Sequence, residues 1–152
     1  VVAGVVLDVV RDELFAATAG GGATRDGVPI ACSAADDLAT ALLATGFAYD
    51  ASRRAAQAQV LVEVLPRVRD IRRFGAAAVD LCNVACGRFD GYWERGLAAW
   101  DLAAGGLIAR EAGAEVTGFD GGEVLPGSVV AASPGIAPAL RELLVRAGAP
   151  DA

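Results

Sequence analysis

Two acidic residues, Glu94 and Asp101, have the type and the setting of carboxylates that carry out chemistry. Each stands near the end of a separate predicted element, and Asp101 lies where the pattern predicts that a helix begins. A carboxylate held in such a place is a good ligand for a hard cation, because magnesium prefers oxygen donors. An Asp at the start of a helix also serves as an N-cap that accepts backbone N–H bonds. The residues alone leave both interpretations open.

A second candidate site, formed by Gly75, Ala76 and Ala77, would act through its backbone. Small residues at the start of a helix let a ligand approach the N–H groups closely, and the helix dipole favours an anion there. Tight helix packing through alanine is the alternative interpretation. The glycine-rich residues 20–22 lack the Lys and Ser or Thr of a Walker loop, so they predict a flexible hairpin loop.

The composition limits the chemistry. The sequence has no His, which excludes a Ser-His-Asp triad, a Cys-His dyad and a His-bound zinc site within it. Acid–base or metal chemistry must therefore come from its 19 Asp and Glu residues, three cysteines, hydroxyls and backbone groups. A net charge of −6 argues against non-specific binding to nucleic acid, which needs a basic face.

The cysteines predict a reduced, cytoplasmic protein. Cys82 and Cys86 lie one turn apart on the same predicted helix, which is poor geometry for a disulfide, and Cys32 makes the number odd. Buried free thiols are typical of proteins from a reducing compartment. No apolar run has the length of a membrane span, and no signal peptide is evident at the start.

The elements that must position these residues alternate between strand and helix, which predicts a single α/β unit. Residues 1–10 are almost continuously apolar and predict a buried strand, and residues 38–45 fit a strand or a helix. The remaining pattern predicts strands over residues 14–19, 28–30, 70–74, 90–95, 115–117 and 128–132, and helices over residues 51–68, 76–86, 102–112 and 136–147.

Several stretches together resemble the inositol monophosphatase family, in the same order and with similar spacing. They are residues 20–23 (GGGA), 26–30 (DGVPI), 42–47 (LLATGF), 72–82 (RRFGAAAVDLC), 87–96 (GRFDGYWERG) and 100–113 (WDLAAGGLIAREAG). The resemblance implies the layered α-β-α-β-α sugar-phosphatase fold, with this chain supplying a mixed sheet and its flanking helices.

The resemblance also implies an activity, which is magnesium-dependent hydrolysis of a small phosphate monoester such as inositol monophosphate. By the family pattern, Asp101 is a metal ligand and Glu94 hydrogen-bonds substrate hydroxyls. Gly75, Ala76 and Ala77 offer backbone contacts to the substrate. The resemblance further implies a homodimer and a small phosphorylated metabolite as partner. The acidic charge and the lack of a membrane-length apolar run predict neither nucleic acid nor membrane as partner.

The family's other metal ligands lie in a Glu-Glu segment and an Asp-Pro-x-Asp-Gly-Thr segment, and neither occurs in this sequence. We therefore expect residues 1–152 to be the C-terminal half of such a protein. We also expect them to be inactive alone, because one carboxylate cannot hold magnesium against its hydration shell. The alternatives are a phosphatase for histidinol phosphate, fructose bisphosphate or a phosphoadenosine nucleotide, or a non-catalytic, truncated interaction module.

Overall fold

An antiparallel meander opens the chain. The computed structural model describes residues 1–124 and 127–151. The meander forms one sheet, in which neighbouring strands pair in sequence order. Its strands are β1 (Ala3–Asp8), β2 (Glu13–Thr18), β3 (Ala23–Arg25) and β4 (Val28–Ile30).

A second sheet is mixed, as the sequence predicts. Its strands are β5 (Leu42–Thr45), β6 (Asp70–Arg72), β7 (Gly91–Arg95), β8 (Glu115–Thr117) and β9 (Ser128–Ala132). They lie in the order β6-β5-β7-β9-β8. Strand β5 runs parallel to β6 and β7, whereas β9 runs antiparallel to β7 and β8. The described residues thus confirm the predicted mixed sheet.

The helices lie between and outside the sheets. They are α1 (Ala51–Val64), α2 (Ala77–Ala85), α3 (Ala99–Glu111) and α4 (Ala137–Arg146). Helices α2 and α3 pack on each other, and α3 also contacts β1 and β2. One apolar core joins the meander, this helix pair and one face of the second sheet, and another joins the opposite face to α1 and α4.

Strand β7 shows how the second sheet comes to be buried on both faces. Successive side chains of a strand point to opposite faces. Tyr92 accordingly lies in the core beside α2 and α3, and Trp93 lies in the core beside α1 and α4. Glu94 projects on the same side as Tyr92, and this placement brings its carboxylate to the site described below.

Residues 1–10 do contain a strand, β1, but the prediction that this strand is buried is wrong. Strand β1 alternates: Gly4 and Asp8 are buried, whereas Val5 is 61% exposed and Leu7 is 51% exposed. The inner face packs on α3, and none of the described residues covers the outer face. Residues 1–10 are thus apolar on a face that packs on α3 and also on a face that is exposed.

Several element boundaries also differ from prediction, and three of the differences have a clear form. Residues 38–45 divide into a 3-10 turn over Leu38–Thr40 and strand β5. Helix α1 ends at Val64 and continues as a 3-10 turn over Leu65–Arg67, because Pro66 cannot donate the next helical hydrogen bond. Strand β6 ends at Arg72 rather than at residue 74.

The cysteines are free thiols, as predicted. Cys82 is fully buried, and burial raises the pKa of its thiol to about 12. Across the described ranges, no helix has the length and apolar character needed to cross a membrane.

Candidate active site

A cleft of about 430 Å³ lies where four parts of the fold meet. The segment leading into α2, the end of β7 and the start of α3 form its walls, together with the loop that follows β5. The five residues singled out from the sequence, Gly75, Ala76, Ala77, Glu94 and Asp101, all line this cleft. The fold therefore brings together residues that come from separate elements.

The N-terminus of α2 faces the cleft with its backbone exposed to a ligand. Gly75 has a φ of +88°, a backbone conformation that residues other than glycine rarely adopt. Ala76 is the N-cap and has no side chain able to bond the first-turn N–H groups. These N–H groups normally donate to a capping side chain, and without one they can bind an anion.

Glu94 is held in the cleft from beneath. The hydroxyl of Tyr92 donates a hydrogen bond to Oε2 of Glu94 at 2.6 Å, and Tyr92 is fully buried. Burial raises the pKa of Glu94, with the charge of Asp101 acting in the same direction, while the bond from Tyr92 and the charge of Arg73 oppose the rise. The carboxylate is thus partly desolvated and fixed in orientation.

Asp101 lies inside the first turn of α3, not before it. The helix begins at Ala99 rather than at Leu102, and the N-cap is Ala98. The interpretation of Asp101 as the N-cap, which the sequence left open, is therefore wrong. Its Oδ2 instead accepts a hydrogen bond from the backbone N–H of Ala98 at 2.8 Å, which fixes the carboxylate at the mouth of the cleft.

Asp80 is a buried carboxyl group close to this site that sequence reasoning did not single out. It lies in the first turn of α2 and is 0% exposed. Among the described residues, neither of its oxygens has a hydrogen-bond partner. Burial raises the pKa of Asp80 to about 7, the charge of Glu94 adds to the rise, and the charge of Arg73 opposes it.

The donor set fits one part of a magnesium site. Asp101 offers a fixed carboxylate oxygen, and Oδ2 alone takes part in hydrogen bonds among the described residues. Within residues 1–124 and 127–151, no group of three or more His, Cys, Asp or Glu residues could hold a metal ion. Because magnesium binds through carboxylates, waters and substrate phosphates, this part of the chain can contribute a ligand but not a complete ligand set.

Further residues lie in or beside the cleft, and the sequence itself indicates where two of them are placed. Tyr92 lies two residues before Glu94 in the same strand, and this spacing places both side chains on one face. Arg73 directly precedes the segment that leads into α2, and its Nη1 lies 2.3 Å from where a Cβ of Gly75 would stand. Arg53 and Arg95 also line the cleft, but their convergence depends on tertiary structure.

Comparison with known proteins gives a consistent result. Residues 1–148 match the family model of the inositol monophosphatase family. Over 154 residues the chain is 53% identical to the inositol-1-monophosphatase of Mycobacterium leprae, covering 95% of this chain and 52% of that protein. Over 139 residues it is 44% identical to the Nus factor SuhB of Escherichia coli, covering 90% of this chain and 52% of that protein.

A solved structure shares the fold. The chain is similar to Mycobacterium tuberculosis SuhB with a TM-score of 0.88 and 46% identity, covering 96% of this chain and 59% of that one. The chain spans about half the length of the curated relatives it matches.

Proposed function

The chain belongs to the inositol monophosphatase family, and from this premise we propose that it supplies one side of an active site that hydrolyses small phosphate monoesters with magnesium. In this proposal Asp101 is a metal ligand and Glu94 accepts hydrogen bonds from substrate hydroxyls. The backbone of Gly75, Ala76 and Ala77 contacts the substrate. The small phosphorylated metabolite of best fit is inositol monophosphate.

The observation that carries the proposal is the convergence of these five residues on one cleft. The uncapped N-terminus of α2 presents N–H groups to an anionic or hydroxylated ligand. Tyr92 donates to Oε2 of Glu94, and in this proposal Oε1 accepts from a substrate hydroxyl. Asp101 is braced by Ala98, so its position does not depend on a bound ligand.

The chemistry divides between metal and protein. Magnesium, when bound, supplies Lewis-acid stabilisation and lowers the pKa of a coordinated water. Glu94 and the α2 backbone orient the substrate, which lowers the entropic part of the barrier. Asp101 provides one oxygen ligand. Since the described residues hold no fuller ligand set, the proposal requires further carboxylates outside residues 1–152.

The experiment uses a chimera, defined as the part of the M. leprae relative that this chain does not match, followed by residues 1–152. We expect the chimera to release phosphate from inositol 1-phosphate only with magnesium. The substitution Asp101→Asn is expected to abolish this release, by about 100-fold or more, and the chain alone is expected to show none. Magnesium-dependent release by the chain alone, sensitive to Asp101→Asn, would contradict the division of ligands proposed here.

A second substrate class is supported by the arginines of the cleft. Arg53 and Arg95 line it together with Arg73, and a neighbouring cavity of about 660 Å³ shares Arg53 and Arg95 with it. Guanidinium groups bind phosphate well, so a fructose bisphosphate or a phosphoadenosine nucleotide could place a second phosphate at this boundary. Histidinol phosphate carries a single phosphate, so it gains no contact from these arginines.

A matched pair of variants of the chimera separates these substrates. Arg53→Ala is expected to lower kcat/KM for a bisphosphate by about tenfold and to leave inositol 1-phosphate unchanged if the second class is right. Arg54→Ala is the control, because that side chain instead bonds the carbonyl oxygens of Ala48 at 3.2 Å and Tyr49 at 2.6 Å. Equal activity of both variants on the bisphosphate argues for the inositol substrate.

A non-catalytic role is the remaining candidate, and the name of the E. coli relative favours testing it. A stable, monodisperse chain of 152 residues without metal, together with a chimera that hydrolyses none of these phosphates, would support an interaction module.

For the catalytic protein we propose a homodimer in the cytoplasm, consistent with its free thiols. Sedimentation of the chimera checks the dimer.

A further inference from the structure

Gly46 lies where the carboxylate of Glu94 is packed. It directly follows β5, and β5 pairs with β7 so that Thr45 stands opposite Trp93. A Cβ placed on Gly46 would lie 1.9 Å from Oε2, 2.1 Å from Cδ and 2.3 Å from Oε1 of Glu94. Three heavy atoms within such distances mean that the carboxylate fills the space of a side chain at position 46.

The requirement at position 46 is one of space, not of backbone conformation. Gly46 is not among the described glycines with positive φ, so its backbone suits other residues as well. The neighbouring backbone cannot easily yield, because the hydroxyl of Thr45 donates to the carbonyl oxygen of Trp93 at 2.8 Å and both residues are buried. Any side chain at position 46 must therefore displace Glu94.

Glu94 has a second fixed contact. Tyr92 is 0% exposed, and its hydroxyl donates to Oε2 at 2.6 Å. Gly46, at the end of β5, and Tyr92, on β7, thus both contact the carboxylate, while the positive charge of Arg73 also acts on it. Moving the carboxylate away from Gly46 would disturb its bond from Tyr92.

We propose that Gly46 is a specificity-determining positioning residue, whose missing side chain lets Glu94 lie against the end of β5 and select phosphate monoesters that carry hydroxyl groups. This inference rests on the proposed function, because it assigns a cause to the placement of a residue that the function uses. Gly46 does not touch the substrate. It acts only through Glu94.

The test is Gly46→Ala in the chimera, with two substrates and one structure. We expect kcat/KM for inositol 1-phosphate to fall by about tenfold or more, because displacing a binding group by an ångström is enough for such losses. Hydrolysis of p-nitrophenyl phosphate, which has no hydroxyl for Glu94 to bind, is expected to stay within about twofold. A crystal structure of the variant is expected to show the carboxylate displaced and its bond from Tyr92 broken.

Two further variants sharpen the result. Adding Glu94→Asp to Gly46→Ala shortens the acidic side chain by one methylene, so it is expected to recover part of the lost selectivity, whereas Glu94→Asp alone is expected to lose selectivity. Gly106→Ala is the control, because a Cβ there meets only Nη1 of Arg110, at 3.8 Å.

The outcomes separate the two proposals. Equal losses on both substrates, or an unmoved carboxylate in the crystal structure of Gly46→Ala, would overturn the role of Gly46. An unsubstituted chimera without phosphatase activity would overturn the proposed function, and the crystal structure would then decide the role of Gly46 by itself.

Discussion

Asp80 is a single side chain whose burial beside the cleft makes the free energy of unfolding depend on pH. Its carboxyl group is fully buried beside Glu94 without a hydrogen-bond partner among the described residues. The pKa of Asp80, about 7, lies above the ordinary 3.8. Between those pH values the folded protein holds a proton that the unfolded chain has lost. The free energy of unfolding contributed by Asp80 therefore falls as the pH rises from about 4 to about 7.

The substitution Asp80→Asn removes the ionisable group and keeps its shape. In the unsubstituted chimera we expect the free energy of unfolding to fall by about 2–4 kcal/mol between pH 5 and pH 7.5, and in the variant by less than half of that. Urea unfolding at the two pH values measures both. The raised pKa of Glu94 acts in the same direction, so some fall remains in the variant.

Carboxylates with lowered pKa values do not confuse this measurement. Asp8 and Glu13 have pKa values lowered by hydrogen bonds from Arg11 and Arg88 respectively. Their contributions are lost only as the pH falls below the ordinary carboxyl range. Parallel pH slopes of the Asp80→Asn variant and its parent would show that the slope arises elsewhere in the protein.

At this scale the sequence predicts residues better than contacts. Glu94 and Asp101 stand out as carboxylates near element ends, residues 75–77 stand out as small residues at a helix start, and the resemblance gives each of them a role. The register of β5 against β7, which places Gly46 on Glu94, cannot be read from either strand alone. Asp80 is hidden for the same reason, because only the packing of α2 makes it buried.

Among the elements, the glycine-rich hairpin loop is more constrained than its composition indicates. The sequence predicts a flexible loop over residues 20–22. In the structure the carboxylate of Glu111, at the end of α3, accepts from the N–H of Gly20 and of Gly22, each at 2.9 Å. These two hydrogen bonds lower the pKa of Glu111. The carboxylate therefore stays charged, and keeps accepting from both N–H groups, at pH values below its ordinary pKa.

The substitution Glu111→Ala removes both acceptors without disturbing helix propensity. We expect amide hydrogen exchange at Gly20 and Gly22 to speed up by about tenfold or more, since neither N–H then has its carboxylate partner. Hydrogen-exchange mass spectrometry or NMR of the chimera measures the rates. Glu142→Ala is the control, because that exposed carboxylate pairs only with Arg146 on its own helix, at 3.3 Å. Unchanged loop protection would mean that the β2–β3 pairing alone orders the loop.

Element boundaries follow local chemistry where that chemistry is strong. Pro66 ends α1 before residue 68, the predicted end of the helix. The start of α3 was placed too late because its N-cap is Ala98, a residue with no capping side chain. The backbone N–H of Ala98 instead donates to the carboxylate of Asp101 inside the first turn, and sequence signals at the cap position do not show this bond.

At the scale of the whole molecule, the two sheets differ in how they are covered. The second sheet has an apolar core on each face. The outer face of the first sheet leaves large apolar side chains exposed within the described residues. These are Val5 at 61%, Leu7 at 51% and Leu14 at 45%, with Val1, Val2, Val9 and Val10 exposed nearby. A continuous apolar patch of this kind marks a surface that another segment covers.

The part of the relatives that this chain does not match is the segment we propose for that surface. If so, the chain alone must associate through the bare face, and the chimera must not. Light scattering of the two at equal concentration is expected to show large, concentration-dependent particles for the chain and a single discrete species for the chimera.

The double substitution Val5→Thr and Leu7→Thr tests the face itself, since it lowers apolar area with residues that favour strands. We expect it to reduce association of the chain and, in the chimera, to destabilise a covered interface by about 2–4 kcal/mol. Val62→Thr is the matched control, because Val62 is 62% exposed on α1, far from the meander in sequence. If the double variant associates as strongly as the parent chain, the outer face of β1 is not the surface that drives association, and the covering segment must lie elsewhere.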